Sequence, residues 1–440
     1  MATEEPTVLI IGAGTFGASA AYHLSKQYKD ASRITLLDRW DTTSPLESKH
    51  AAAIDTNRII RTDYASHLYC NLANEALHFW FWNMAVQGHF RKTGWVVLDK
   101  PEGGFGDAVR KTDVKVEELE KWDVMKGVRA EKFNGAYFNP EAGWCDAEKA
   151  TRSFTKVALD LGVQRVTGVV EELLLKRGGT GVDGVRLSDR RVLSAEKIVL
   201  ATGAWTSALM APVEDMLGLR EDERVERQIT AVGRVSAYYA LDERETQAMI
   251  DGGQPVIVVG GEVDIIRPSQ LNRTLKVNDL STEVVNTVTT PSGHCVTAPS
   301  RRNQNDVPER LKRESEKVIS AAMPDWTKSR TPSRWRICYD AVTPSEDFLM
   351  CQYPHPQLAN LYLAVGGSFH SYKFLPVAGA YMCNVLNGKS NGEEKDEAWG
   401  WKSGEWLEKC KGKGKEFGNS KRKRGRREFG KFEEGASAKL

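Results

Sequence analysis

Residues 7–26, TVLIIGAGTFGASAAYHLSK, decide the fold. Residues 7–11 form a continuous β-branched and aliphatic run, the pattern of a strand buried on both faces. The run passes directly into Gly12-Ala13-Gly14-Thr15-Phe16-Gly17, and the small residues that follow suit a helix lying close to a sheet. Residues 34–37 (ITLL) read as a second strand, closed by Asp38 and Arg39. Strand, glycine turn, helix, strand and terminal acid make one βαβ unit of the size that binds a dinucleotide. Gly12 allows the tight turn, Gly14 lets the backbone approach a pyrophosphate, and Gly17 lets helix and strand pack closely. The helix N-terminus at Thr15 and Phe16 turns N–H groups and a partial positive charge toward phosphates. Asp38 suits a ribose diol and disfavours a 2′-phosphate, so FAD or NAD is expected rather than NADP.

The 440 residues suffice for two or three domains. With 41% hydrophobic and 27% charged residues, wholesale disorder is excluded. No apolar run approaches the roughly 20 residues of a membrane-spanning helix, and the acidic N-terminal residues argue against a secretory leader. Seven cysteines are too few and too scattered for a disulfide framework or a zinc site, so no metal is expected and a reducing compartment is. The net charge of +2 is uneven: residues 409–431 carry +9 and the remainder −7. The body therefore offers no case for nucleic-acid binding, and the basic 421–427 stretch reads as a solvated tail.

A second nucleotide-side strand is expected at 197–200, ending in Ala201-Thr202-Gly203-Ala204-Trp205, whose small residues let backbone pass near a cofactor. Residues 171–175 and 182–187 flank a glycine-rich turn and read as a hairpin. Stretches 95–98, 228–239 and 255–259 alternate or run apolar like strands of another sheet, and 308–322 is an amphipathic helix. The expected architecture is α/β: a discontinuous Rossmann-type FAD-binding domain (1–90, 145–225, 331–400), an inserted β-rich substrate domain (91–144, 226–330), and a basic tail (401–440).

Three clusters supply polar groups beside the expected cofactor. Residues 48–61 carry Ser48, Lys49, His50, Asn57, Arg58 and Arg61 among small residues; the two arginines share a face if the segment is helical. Residues 335–348 include Cys338, which spacing alone gives no reason to single out. Residues 361–376 place Gly367, His370 and Lys373 just beyond a strand. Lys276, in the alternating segment 273–277, reads by pattern alone as an exposed strand lysine.

Together VLIIGAGTFGASAAYHL, TNRIIR, CYDAVTPSEDF and GGSFHSYKFLP resemble, in order, the monomeric sarcosine oxidase family of flavoproteins, and within it the fungal fructosyl amino acid and fructosyl peptide oxidases (amadoriases). The resemblance implies FAD, tethered covalently through Cys338, with Arg58 near the flavin and Arg61 and Lys373 pairing with a substrate carboxylate. It implies Lys276 as the cation promoting reaction with O2, Asn57 in proton relay, and Lys49 near a position linked to substrate choice. One segment departs: the family's Phe-Phe-Glu-Pro stands here as Ile265-Ile266-Arg267-Pro268, which puts Arg267 where a substrate-binding glutamate is expected. The implied activity is oxidation of fructosyl amino acids or peptides to glucosone and free amine, with hydrogen peroxide released. The partners are a small-molecule substrate and O2, acting on a monomer without nucleic acid or membrane. Sarcosine or pipecolate oxidation fits the same motifs, and a non-catalytic dinucleotide-binding protein is the reading from another class. Ala438-Lys439-Leu440, close to a peroxisomal address, makes the location peroxisomal or cytoplasmic.

Overall fold

The structure, a computed structural model, describes residues 5–40, 51–99, 113–114, 116–133, 135–410 and 426–433. Strand β1 (Val8–Ile11) is buried along its whole length, as its unbroken aliphatic run requires when both faces of a sheet are covered. Helix α1 (Thr15–Gln27) leads to β2 (Ile34–Asp38), which lies parallel to β1. The rest of this six-stranded sheet comes from distant sequence. Lys197–Leu200 pairs with the other edge of β1, followed by Leu361–Val365 and the antiparallel Leu349–Gln352, while Gln164–Thr167 flanks β2. Gly12 sits at φ +102°, and a Cβ on Gly17 would lie 1.7 Å from Gly12 O, so only glycine lets α1 start this close to β1.

The expected hairpin is present as Val170–Leu175 antiparallel to Val182–Leu187. A second, nine-stranded sheet runs in the order Arg334–Val342, Thr230–Ala240, Thr274–Val285, Val263–Ile266, Val256–Val259, Trp95–Asp99, Gly135–Asn139, Asp113–Val114, with Arg426–Glu428 as the ninth strand beside Thr274–Val285. In its central strands residues alternate between two faces. Ile257, Ile265, Leu275 and Val277 pack with Leu311 and Ile319 of the helix Glu309–Ala322. Their neighbours Val258, Asp264, Lys276 and Asn278 face the other way, into a cavity.

Two features depart from the sequence reading. Arg334–Val342, expected on the nucleotide side, is an edge of the second sheet, hydrogen-bonded to Thr230–Ala240. A strand's pattern announces its conformation but not which sheet receives it. The end of the basic tail is docked rather than solvated. Arg426–Glu428 pairs in parallel with the end of Thr274–Val285, Phe429 and Phe432 are buried in the same core, and Arg427 lies 2.5 Å from Glu314. Residues 421–425 and Ala438-Lys439-Leu440 lie outside the described residues.

Candidate active site

A cavity of about 1120 Å³ separates the carboxyl ends of the first sheet's parallel strands from the open face of the second. This exceeds the roughly 300–1,000 Å³ of an ordinary ligand pocket. One end is the glycine turn. Gly12, Gly14, Thr15, Phe16, Asp38 and Arg39 line it, joined by Gly203, Ala204 and Trp205. Asp38 accepts from Ala13 N (2.6 Å) and Trp40 N (3.0 Å), so its carboxylate is fixed before any ribose reaches it. Gly17 does not reach the cavity; it serves the packing of α1.

Across the cavity a carboxylate organises three cations. Asp55 accepts from Lys276 Nζ at 2.7 Å and from Arg58 Nη1 at 2.5 Å, with Tyr238 OH at 2.8 Å and Arg336 Nη1 at 3.7 Å. Burial works against the charged carboxylate, but Lys276, Arg58 and Arg336 together hold it well below the usual range. Lys276, read from pattern as exposed, is 1% exposed, because its strand lies inside a nine-stranded sheet and its face is roofed by the first domain. Burial and Arg58 lower its pKa, against the pull of Asp55. Arg58 also donates to Cys338 Sγ at 3.2 Å, which brings the CYDAVTP and TNRIIR segments into contact.

The third motif closes the site. Strand β3 (Arg58–Ile60), not a helix, carries Arg58, and Arg61 follows directly after it. Extended backbone turns side chains three apart to different sides, so Arg58 meets Asp55 and Cys338 while Arg61 stacks on Tyr64 (4.7 Å) and Trp95 (4.8 Å). Lys373 Nζ donates to Tyr64 OH and to His370 O, each at 2.7 Å. Burial pushes the His370 imidazole down to about 3, so it is neutral; Nε2 donates to Glu346 O at 2.8 Å, and Nδ1 accepts from Tyr64 OH at 3.2 Å. That order fixes the Tyr64 proton toward His370 and its lone pairs toward Lys373. The Lys373 ammonium, buried beside Arg61, has a pKa well below that of an ordinary lysine. Gly367 completes this wall.

Two of the expected residues stand apart from the cavity lining. Asn57 is fully buried beside Lys276, whose Nζ reaches its backbone O at 3.3 Å, and neither its side-chain amide N nor O has a partner among the described residues. Arg267 lies outside the cavity and donates to Ile250 O at 3.3 Å, because strand alternation sends Asp264 and Ile266 inward and the next residue out. Ser48, Lys49 and His50 lie outside the described residues. Sequence reasoning overlooked Asp55, Tyr64, Tyr238, Arg336 and Asp264. Asp55 alone left a signal, an acid among the small residues of a cofactor-flanking segment.

A glycine turn with no space for side chains, a fixed acid at the end of β2 and a thiol beside an arginine fit FAD. The class defined is an FAD-dependent oxidoreductase, and no group of His, Cys, Asp or Glu suited to a metal occurs among the described residues. The chain belongs to the FAD dependent oxidoreductase (DAO) family, whose pattern matches residues 7–385. It is 23% identical over 426 residues to L-saccharopine oxidase of Schizosaccharomyces pombe, covering 90% of this chain and 93% of that one. It is 25% identical over 399 residues to monomeric sarcosine oxidase of an Arthrobacter species, covering 87% and 93%. Its fold is similar to the fructosamine oxidase Amadoriase II of Aspergillus fumigatus (TM-score 0.81, 22% identity, 99% and 98% covered). It is also similar to the fructosyl peptide oxidase of E. terrenum (TM-score 0.77, 24% identity, 92% and 94% covered). No helix among the described residues is long and apolar enough to cross a membrane.

Proposed function

We propose that the chain is an oxidase of secondary amines that carry a carboxylate, fructosyl amino acids or short fructosyl peptides among them. The carrying observation is the pair Arg61 and Lys373, both held against the Tyr64 ring in the cavity that also contains Lys276 and Cys338. Two oriented cations there receive a carboxylate and fix the amine beyond it. Bound FAD supplies the chemistry, taking a hydride equivalent from the carbon next to nitrogen and passing electrons to O2.

The chain's own groups set the conditions. Tyr64 and His370 aim the Lys373 ammonium without neutralising it, which leaves it able to pair with a substrate carboxylate. The Asp55 group, three cations to one carboxylate, leaves net positive charge where reduced oxygen would accumulate negative charge. Arg58 donates to Cys338 Sγ, and both line the cavity in which a sulfur bond to FAD would form. The imine product would hydrolyse to a carbonyl compound and a primary amine, with hydrogen peroxide as the other product. Saccharopine is a second reading, because the full-length likeness to a saccharopine oxidase adds to the carboxylate pair.

A peroxide assay on fructosyl-valine, fructosyl-valyl-histidine, Nε-fructosyl-lysine, saccharopine and sarcosine tests the class. Turnover of at least one supports it; a yellow, FAD-loaded enzyme that releases peroxide with none overturns it. Acid precipitation tests the tether: yellow colour should stay with the wild-type pellet and leave the Cys338→Ala pellet. Colour retained by the variant sinks the covalent assignment.

A further inference from the structure

The polar groups of the second sheet's inner face include a set that the oxidation itself does not use. Ser236, Asn278 and Asp264 are directly opposite one another on three neighbouring strands. Ser236 Oγ donates to Asn278 Oδ1 at 2.5 Å, which fixes the amide so that Asn278 Nδ2 donates to Asp264 Oδ1. The other Asp264 oxygen has no hydrogen-bond partner among the described residues, although the side chain is 92% buried and lines the cavity. A mostly buried carboxylate that is hydrogen-bonded through one oxygen and lines a cavity gains from a cation beside the other. Burial raises its pKa, against the pull of Lys276, Arg58 and Arg234.

Asp264 also stands at a definite distance from the carboxylate clamp. Its cross-strand neighbours are Val258 and then Val97, and Trp95, against which Arg61 stacks, lies two residues further along that strand. Two strand spacings and two residues amount to roughly 12 Å. Val97 and Val258 make the wall between them apolar, suited to methylene groups.

Resting on the oxidase reading above, we propose that Asp264 binds a charged nitrogen at the far end of the substrate. The preferred substrate is then a secondary amine with a carboxylate on one side of nitrogen and an aliphatic arm ending in an ammonium group on the other. Asn278 and Ser236 position Asp264, and the arm runs over Val258. This choice of arm is made by the sheet, independently of the cations that hold the carboxylate.

The experiment measures binding without turnover. The FAD-loaded enzyme is titrated, through its visible spectrum, with two thioethers that have no amine at the reacting position: [(5-aminopentyl)thio]acetate and its isostere (hexylthio)acetate. The ammonium-bearing ligand should bind at least about tenfold more tightly to the wild type. Asp264→Asn should bring the two within about threefold by weakening the first. Equal affinities in the wild type overturn the proposal, as does a preference that survives in the variant; the wild-type pair decides alone if the variant does not fold. Peroxide assays separate this from the function proposal. An enzyme that prefers the ammonium ligand but oxidises no amine loses the oxidase reading and keeps this site. One that oxidises amines but binds both ligands equally loses only this site.

Discussion

Two buried lysines face the same cavity and are held in opposite ways. Lys276 lies 2.7 Å from the Asp55 carboxylate, within a cluster that includes Arg58 and Arg336. Lys373 is held by two neutral oxygens, the Tyr64 hydroxyl and the His370 carbonyl. The first is paired with a carboxylate within the protein. The second is destabilised as an ammonium until an anion arrives. A cation paired within the protein suits a step in which charge develops on oxygen, and one held by neutral oxygens suits recognition of an anionic substrate.

The comparison breaks most severely at Asp55. Asp55→Asn leaves three buried cations facing one another, and denaturant unfolding should show a loss of about 3–5 kcal/mol. A loss below 1 kcal/mol would mean that solvent or other groups already neutralise them. Next in size is Lys276→Met. Asp55 keeps Arg58 and Arg336, so the fold should survive, but reoxidation of the reduced enzyme by O2 should slow about 10²–10³-fold. Reduction by substrate, followed in an anaerobic stopped-flow, should change far less. Equal losses in both half-reactions would remove the distinction between the two lysines.

Lys373→Met should act the other way round. Losing a charge-assisted bond should raise KM for carboxylate substrates about 10–100-fold, while thermal stability holds or rises because a buried ammonium without a carboxylate is gone. A fall in Tm with unchanged KM would make Lys373 a structural residue. A milder test uses pH. Because burial and Arg61 depress the Lys373 pKa, its ammonium is lost at a lower pH than in an ordinary lysine. Affinity for a simple carboxylate such as propionate should be full below that folded-state pKa and fall as pH rises through it. In Lys373→Met that fall should disappear.

Much of the nucleotide side was legible in sequence because its determinants are local. The run 7–17, the small residues of α1 and Asp38 specify strand, turn and helix within one unit, and the structure builds them as read. The strands 95–99, 230–240 and 256–259 and the helix 309–322 were likewise visible in their periods. Lys276 and Arg267 show where such reading stops. An alternating strand announces two faces, and nothing within it tells which face is roofed. Asp264 was passed over for the same reason: its partner Asn278 and its neighbour Val258 come from other strands.

By itself, then, the sequence determined a dinucleotide-binding βαβ unit and the order of the motifs that follow it, since turn chemistry and hydrophobic period act over a few residues. The tertiary structure alone decided that Arg58 would meet Cys338, that Asp55 would gather three cations, that Asp264 would face inward and that Phe429 and Phe432 would anchor the tail. Those outcomes depend on strand register between segments up to hundreds of residues apart, where a shift of one residue would exchange every inward side chain for its outward neighbour.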